Sequence, residues 1–417
     1  MKILGLITEY NPFHNGHKYH LDEAKKITGA THTIAVMSGN FLQRGEPAIT
    51  DKWHRAEMAV REGVDLILEL PFVYACNTAE LFAYGAVSML HHLNAVNFLC
   101  FGSEEGAIEK LMQVSEILHV EPESYRHTLK AYLAEGLPYP QARSNALSQY
   151  FEDNALSSAL QSPNNILGIE YIKALLKLRS PIQPFTLKRI KADYHSTEIR
   201  SEICSATAIR EHLSIDPRDV NTLSKVMPNG SLNTLENCFN LGFGPVFYSN
   251  FDQLVLYRLR TMPTDVIANI PDVTEGLENR FKEISMKATS HAEVLNATKS
   301  KRYTMTRLQR ILIHALMDLQ KQHLALFNQA QGSQYARVLA FSKNGSSLIR
   351  HLKKYSNIPI LTNINREPLE AEVAKQMLAF DIKATNIYSI AYPNPANRKG
   401  GWDYYKKPFF LHNDLNS

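Results

Sequence analysis

The sequence has no run approaching the roughly 20 apolar residues that span a bilayer, so no segment of it is expected to cross a membrane. Behind Met1-Lys2 there is neither the longer apolar core nor the small-residue cleavage site of a secretory leader. Cysteine is scarce, four residues in 417. Cys76, Cys100, Cys204 and Cys238 are widely scattered and form no Cys-x-x-Cys pair, which speaks against a disulfide framework and points to a reducing, cytoplasmic setting. A strong charge bias is missing as well. With 45 Lys and Arg against 41 Asp and Glu, the formal net charge is +4, so whole-chain electrostatics neither demand nor exclude RNA, and the distribution of charge matters more. No internal repeat or long low-complexity tract is present.

What remains is the profile of a soluble globular protein, 44% hydrophobic and 21% charged, long enough for two domains or one large domain with an appendage. The first half alternates strand and helix signals. Apolar runs at Ile3–Ile7, Thr31–Ser38, Val64–Leu70, Val96–Phe101 and Ile182–Arg189 read as strands. Periodic segments at Gly16–Ile27, Asp51–Glu62, Thr78–Leu93, 107–136 and Ile166–Leu178 read as helices. This alternation predicts an α/β fold with a doubly wound parallel sheet, whose ligands bind beyond the carboxyl ends of the strands. Tyr10–His17, Ser38–Glu46 and Gly102–Glu105 therefore become candidates together. Ser214–Asn237, rich in Asp, Pro, Asn, Gly and Ser, is the expected boundary, giving a domain over 1–215 and another over 216–417. The second is expected to be mostly helical, at Leu254–Met262, Leu277–Thr289 and Tyr303–Lys321, with a small mixed sheet from Arg337–Phe341 and Ile358–Thr362.

The most informative stretch is Glu9-Tyr10-Asn11-Pro12-Phe13-His14-Asn15-Gly16-His17. It sets two histidines around a glycine at the exit of a buried strand and the start of a helix. There, unpaired backbone N–H groups and the positive helix end favour phosphate. Imidazole suits such a site as a hydrogen-bond donor, and glycine lets a nucleotide approach the backbone. A zinc site fits less well, because the spacing is not the i, i+4 of a helical site and no Cys or carboxylate cluster adds ligands; no metal-ligating residues are assigned. Further along, Ser162-Pro163-Asn164-Asn165 opens a helix, and Ser205-Ala206-Thr207-Ala208-Ile209-Arg210 opens another. Their polar side chains suit helix capping or phosphate contact equally. In the second half, Lys299, Lys301, Arg302, Arg307 and Arg310 cluster around Tyr303. Arg350, Lys353 and Lys354 follow, then Arg398, Lys399, Lys406 and Lys407 beside Trp402, Tyr404 and Tyr405. Charge interleaved with aromatics suits RNA, and a solvated helix face is the alternative for any one cluster.

The His-x-Gly-His run resembles the signature of the nucleotidyltransferase superfamily. Taken with Gln43-Arg44-Gly45-Glu46-Pro47-Ala48, Phe101-Gly102-Ser103-Glu104, the Ser162 and Ser205 segments and Arg337–Phe341, the chain resembles the bacterial tRNA(Met) cytidine acetate ligase family over nearly its whole length. One departure is Ala206, where related nucleotidyltransferases often carry a further hydroxyl. The resemblance implies an ATP-dependent ligase that converts acetate to acetyl-adenylate and transfers the acetyl group to N4 of the wobble cytidine of elongator tRNA(Met). It implies His14 and His17 as catalytic residues that stabilise charge on the α-phosphate. It implies ATP contacts from Ile7, Thr8, Glu9, Tyr10, Asn11, Pro12, Phe13, Asn15, Gly16, Lys18, Tyr19, His20, Gly102, Asn164 or Asn165, Arg189, Thr207 and Arg210, with Mg²⁺ bridging the phosphates. Gln43 and Arg44 would serve acetate or RNA. The Lys299–Arg310 cluster, Tyr303 included, would serve tRNA. Alternatives that share the nucleotide motif are an adenylyltransferase or acetate ligase acting on a metabolite or protein thiol, and a non-catalytic nucleotide-sensing RNA binder.

Overall fold

The apolar runs of the first half become five strands: β1 (Ile3–Thr8), β2 (His32–Ser38), β3 (Leu66–Leu70), β4 (Phe98–Ser103) and β5 (Gln183–Lys188). The structure is a computed structural model and describes residues 1–137, 139–151, 160, 162–189 and 204–412. Helices α1 (Asn15–Thr28), α2 (Lys52–Arg61) and α3 (Ala79–His92) lie between the first four strands. Helix α4 (Pro163–Lys177) precedes β5, and α5 (Ala206–Ile215) follows it. All but α4 begin at a side chain that caps them. Asp51 accepts from the N–H groups of Trp53 and His54, both at 3.0 Å, satisfying donors that the helix itself leaves open.

These strands are parallel in the order β5-β4-β1-β2-β3. The chain thus moves outward from β1 to β3 and returns as β4 on the other side of β1. That reversal is a topological switch point, and the crevice beyond the ends of β1 and β4 is where such a sheet takes a ligand. Side chains alternate with the period of two that a strand imposes. Ile3, Ile34, Val36, Leu66 and Leu68 enter one core with Phe82, Val87 and Leu90 of α3. Leu4, Leu6, Ala35, Met37 and Ile67 enter the other with Leu21 of α1 and Ala56, Ala59 and Val60 of α2. Each such Leu, Ile or Val stabilises the fold by about 1.5–3 kcal/mol. Two filled faces hold the strand ends, and hence the site, in place.

The helical stretch expected over 107–136 is two helices, Ile108–Val120 and Glu123–Ala134. They part at Glu121, whose φ of 48° is left-handed, and at Pro122, which cannot donate to a continuing helix.

The second half departs further from expectation. The two expected strands form, as β6 (Ala336–Ser342) and β7 (Ile360–Leu361), yet they extend the main sheet instead of building a small one. β6 runs antiparallel to β3, with Leu66 opposite Phe341 and Glu69 opposite Arg337. β7 and the short β8 (Phe409–Leu411) both pair with β6. The cause is visible at the pairing itself: β3 offers an apolar edge plus one buried carboxylate, and Arg337 supplies that carboxylate with a partner at 3.3 Å. The resulting eight-stranded mixed sheet crosses the boundary expected near residue 215.

Ser214–Asn237, the expected boundary, is itself structured. It contains helices Val220–Leu223 and most of Asn229–Asn240, with Leu232 and Leu235 buried. Pro228 stands just ahead of the second helix, where a missing N–H costs nothing. This segment buttresses the His-x-Gly-His turn: Ser231 Oγ donates to Phe13 O at 2.8 Å, and Asn15 N donates to Val226 O at 2.9 Å. Beyond it, helices Asp252–Thr261, Leu277–Ser285, α6 (Met305–Met317) and α7 (Glu372–Ser389) pack on the first core. Among the described residues, no helix is long and apolar enough to cross a membrane.

Candidate functional site

His14 is the N-cap of α1, with extended backbone (φ −137°, ψ 174°). Its Nδ1 accepts from Gly16 N at 3.0 Å, while Nδ1 of His17 accepts from His14 N at 3.3 Å. This is a capping box built from two imidazoles, in which each ring satisfies one open backbone donor. With both Nδ1 lone pairs engaged, each neutral ring carries its hydrogen on Nε2. The rings lie 3.8 Å apart between centroids, inclined by 31°, and Tyr10 and Phe13 pack against His17 at 5.0 and 5.5 Å. Burial, followed by the guanidinium groups of Arg189 and Arg210, lowers the His14 pKa to about 3. Burial and His14 itself lower that of His17 well below the ordinary value. Both are therefore neutral donors near pH 7, side by side at the amino end of a helix.

The other residues of the opening motif divide by what they touch. Ile7 and Thr8 end β1 half-buried. Tyr10 takes a left-handed φ of 46° and packs on Phe13. The Asn11–Pro12 peptide is cis. Asn11 Oδ1 accepts from Ile49 N at 2.7 Å and its carbonyl from Arg210 Nη1 at 3.1 Å. Asn11 Nδ2 is buried without a partner among the described residues. Two expected contacts turn elsewhere. Asn15 Nδ2 donates to Lys225 O at 3.1 Å, and Lys18 Nζ reaches Asp22 at 3.0 Å and Glu62 O at 3.2 Å. Tyr19 is 38% exposed on α1. His20 donates to the Phe101 backbone, and burial and Arg189 bring its pKa down to about 4.

From β4 and β5 come Gly102 and Arg189. A Cβ on Gly102 would stand 3.2 Å from Arg189 Cγ and 3.9 Å from His20 Cδ2, so this glycine forms the floor between those side chains. Asn164 Oδ1 accepts from Arg189 Nη1 at 3.3 Å, whereas Asn165 Oδ1 accepts from the backbone of Glu104 and Glu105 at 2.9 and 3.0 Å. Glu104 answers with its carboxylate, Oε1 accepting from Asn164 Nδ2 at 2.6 Å and Oε2 from Asn165 N at 3.0 Å. Asn164 is thus the asparagine on the Arg189 side, and Asn165 locks β4 to α4. Thr207 is exposed in the first turn of α5, and its Oγ1 accepts from Arg210 Nη2 at 3.4 Å. Arg210 also meets Glu46 Oε2 at 3.4 Å.

After β2, the turn from Phe41 to Pro47 presents Gln43 and Arg44. Gln43 N donates to Glu9 Oε1 at 2.8 Å and Gln43 Nε2 to Asn77 O at 2.8 Å, while Arg44 is exposed. Gly45 is required here. Its φ is 80°, and a Cβ would stand 2.4 Å from Arg310 N, so the turn rests directly on α6.

Of the residues expected at an RNA surface, Arg310 and Tyr303 are interior and Arg307 is half-buried. Arg310 is 7% exposed and pairs with Asp272 at 3.2 Å. Arg307 donates to Asp272 O and Thr274 Oγ1, each at 2.7 Å from Nη2. Tyr303, 8% exposed, lies under the Arg307 guanidinium with its hydroxyl on Glu275 at 3.2 Å. Arg310 and Tyr303 are thus turned into the fold, and Arg307 spends its Nε and Nη2 on Asp272 and Thr274. Lys299, Lys301 and Arg302 remain exposed.

Arg55 escapes sequence reading, and the role of Glu104 does, although its position beyond β4 does not. Fully buried Arg55 gathers the carbonyls of Glu9, Ser38, Gly39 and Thr50, fixing the ends of β1 and β2 together. Glu104 was within reach, as it directly follows a strand, but its exchange of caps with Asn164 and Asn165 depends on the third dimension.

Comparison with known proteins identifies the family. The sequence profile of the HIGH Nucleotidyl Transferase family matches residues 1–403. The tRNA(Met) cytidine acetate ligase of Alkaliphilus metalliredigens is 48% identical, covering 98% of this chain and 99% of its own length. That of Caldanaerobacter subterraneus subsp. tengcongensis is 44% identical, covering 96% and 98%. A crystal structure of Thermotoga maritima TmcAL bound with alpha-thio ATP superposes with a TM-score of 0.92 at 38% identity, covering 99% of this chain and all of that one. This chain belongs to the HIGH nucleotidyl transferase family and, within it, to the tRNA(Met) cytidine acetate ligases.

Proposed function

We propose that this protein activates acetate with ATP, giving acetyl-adenylate and pyrophosphate, and then acetylates N4 of the wobble cytidine of elongator tRNA(Met). The observation that carries the reading is the reciprocal capping of His14 and His17, which leaves two Nε2–H donors beside the amino end of α1. Acetate is a poor acyl donor because oxide does not leave, and the cytosine amine is weak because its lone pair is delocalised. Prior adenylylation answers both difficulties. As acetate oxygen attacks the α-phosphorus in line and pyrophosphate departs, the two imidazoles would stabilise the growing charge by preorganised hydrogen bonds. Gly102 would leave room beside adenosine, with Asn164 and Arg189 at its edge, and Thr207 and Arg210 would meet the outer phosphates. Among the described residues no group of three or more His, Cys, Asp or Glu is placed to hold a metal. A magnesium ion would accordingly be held by phosphate oxygens and water, the usual manner for this cation. Residues 1–215 would carry the nucleotide chemistry and 216–417 the tRNA, through exposed Lys299, Lys301 and Arg302 together with Arg398, Lys399 and Lys407. The cytoplasm is the setting this substrate implies.

Gly102→Val offers a local check. Its side chain would fill the floor between His20 and Arg189, and the ATP concentration for half-maximal pyrophosphate exchange is expected to rise about tenfold, a cost of about 1.4 kcal/mol. An unchanged value would place the nucleotide elsewhere. The reaction itself is tested by incubating tRNA with the protein, ATP and acetate and analysing the nucleosides by mass spectrometry. N4-acetylcytidine is expected only when all three are present. Labelled acetate found on a metabolite or a protein thiol would favour the related ligase readings, and binding of ATP and tRNA without pyrophosphate release would favour a non-catalytic sensor.

A further inference from the structure

Acetyl transfer to an amine must dispose of a proton, and most groups around this site cannot take it. His14 and His17 have committed their Nδ1 lone pairs to backbone donors, and burial and the Arg189 charge bring the His20 pKa down to about 4, which makes that ring a poor proton acceptor. Both oxygens of Glu104 cap α4, and the Glu46 carboxylate is ion-paired with Arg210 at 3.4 Å, a partner it would lose on accepting a proton. Glu9 is different. It follows β1 directly, is only partly buried, and fixes one oxygen by accepting from Gln43 N at 2.8 Å. Its Oε2 has no partner among the described residues. Its carboxylate lies against the Gln43–Arg44 turn, and Arg210 bridges that turn to the histidine motif, donating to Asn11 O at 3.1 Å and meeting Glu46 at 3.4 Å.

Resting on the reading above, we infer that Glu9 Oε2 is the base that accepts the proton from the cytidine N4 amine during acetyl transfer. The N4 lone pair attacks the carbonyl carbon of acetyl-adenylate, a C–N bond forms, and the carbonyl electron pair moves onto oxygen. On collapse the carbonyl reforms and the C–O bond to phosphate breaks, with AMP leaving on that electron pair. One N4 hydrogen passes as a proton to Glu9, which later returns it to water. The groups facing Glu9 are Arg210 from α5, Arg44 and Glu46 from the turn, Arg55 from α2, Tyr171 from α4 and Cys76 beyond Phe72–Ala75. Burial outweighs the lowering by Gln43 N–H, Arg210 and Arg44, so its pKa is raised. A raised value brings a carboxylate nearer to what a base working at neutral pH needs.

The test is single-turnover transfer: full-length protein is loaded with ATP and labelled acetate, tRNA is added, and the rate of label appearing on tRNA is followed against pH. The rate in the unaltered protein should rise as one carboxyl ionises above its ordinary range and then level off. Glu9→Gln keeps a carbonyl oxygen for Gln43 N–H but cannot take a proton. It should slow transfer about 10²-fold, flatten the pH profile, and lower acetate-dependent ATP–pyrophosphate exchange by much less. Glu9→Asp, which loses the anchoring geometry yet keeps the carboxylate, should be slow but retain the rising profile. Transfer near the normal rate in Glu9→Gln, equal losses with equal pH profiles in both variants, or exchange falling as far as transfer would each overturn the inference. A protein that forms acetyl-adenylate but never modifies tRNA would remove the underlying reading instead.

Discussion

His14→Ala and His17→Ala should each reduce acetate-dependent ATP–pyrophosphate exchange by about 10²–10³-fold, the range for removing one preorganised donor from a developing oxyanion. The expectation follows from how the rings are held. Each imidazole accepts from backbone through Nδ1, so the Nε2–H edges are set before any nucleotide arrives and need no reorganisation as charge develops. Because burial and nearby guanidinium groups hold both pKa values low, the rings serve as neutral donors across pH 6–8. The losses in the double variant should fall well short of the product of the single losses, since each ring's orientation depends on the backbone segment that the other caps. Stability should suffer little. Loss of the His14 cap costs about 1 kcal/mol, readable as a small shift in the urea midpoint, and Ser231 and Asn15 still tie the turn to its support. Exchange that survives both substitutions would show that the α-phosphate is stabilised elsewhere.

The amino-terminal architecture was legible because every signal there is local. Apolar runs, Asp51 as a cap and glycine after α1 at Gly29, with φ 60°, each name an element within a few residues of itself, and the strand bounds agree to within two residues. Adjacency of Gly102 and His14 follows from both lying just beyond parallel strands, whereas Arg189 is brought to the site by the family resemblance. The remainder turned on partners distant in sequence. Whether an arginine is solvated or committed to carbonyls is not written in its neighbours, so Arg307 and Arg310 resemble RNA-facing charge and Arg55 carries no signal of its own. Antiparallel pairing of β6 with β3 joins residues some 270 positions apart, and nothing in Arg337–Phe341 selects an existing sheet over a new one. In Ser214–Asn237, the residues that suggested a linker are also those that begin and end short helices, and only Leu232 and Leu235 hinted that the segment has a buried side.

The largest effect on stability is expected at Asp403. Its Oδ1 accepts from Lys52 Nζ at 2.8 Å and from Arg337 Nη1, while Glu69 binds Lys52 at 2.6 Å and Arg337 at 3.3 Å. All four side chains are at most 5% exposed. Two cations and two anions thus balance inside the protein where α2, β3, β6 and the Trp402–Tyr405 turn converge. Asp403→Ala leaves one buried positive charge unopposed and should destabilise the protein by about 3–5 kcal/mol, measured by urea unfolding at pH 7. Adding Lys52→Met removes that excess and leaves the Glu69–Arg337 pair, so much of the loss should return. A double variant no more stable than Asp403→Ala would mean that packing, not charge, sets the cost. The pH dependence carries a sign. Burial would raise the Asp403 pKa, but Lys52 and Arg337 outweigh it and hold it below the ordinary 3.8. Its contribution is therefore fully present above that value and fades as pH falls through the folded pKa. The difference between the unaltered protein and Asp403→Ala should be constant from pH 5 to 8 and shrink below about pH 4. The same balance explains why the carboxyl-terminal strands sit on this sheet. Glu69 could not remain charged at a bare β3 edge covered only by apolar side chains, and Lys52 alone would leave Asp403 and Arg337 without a reason to be buried.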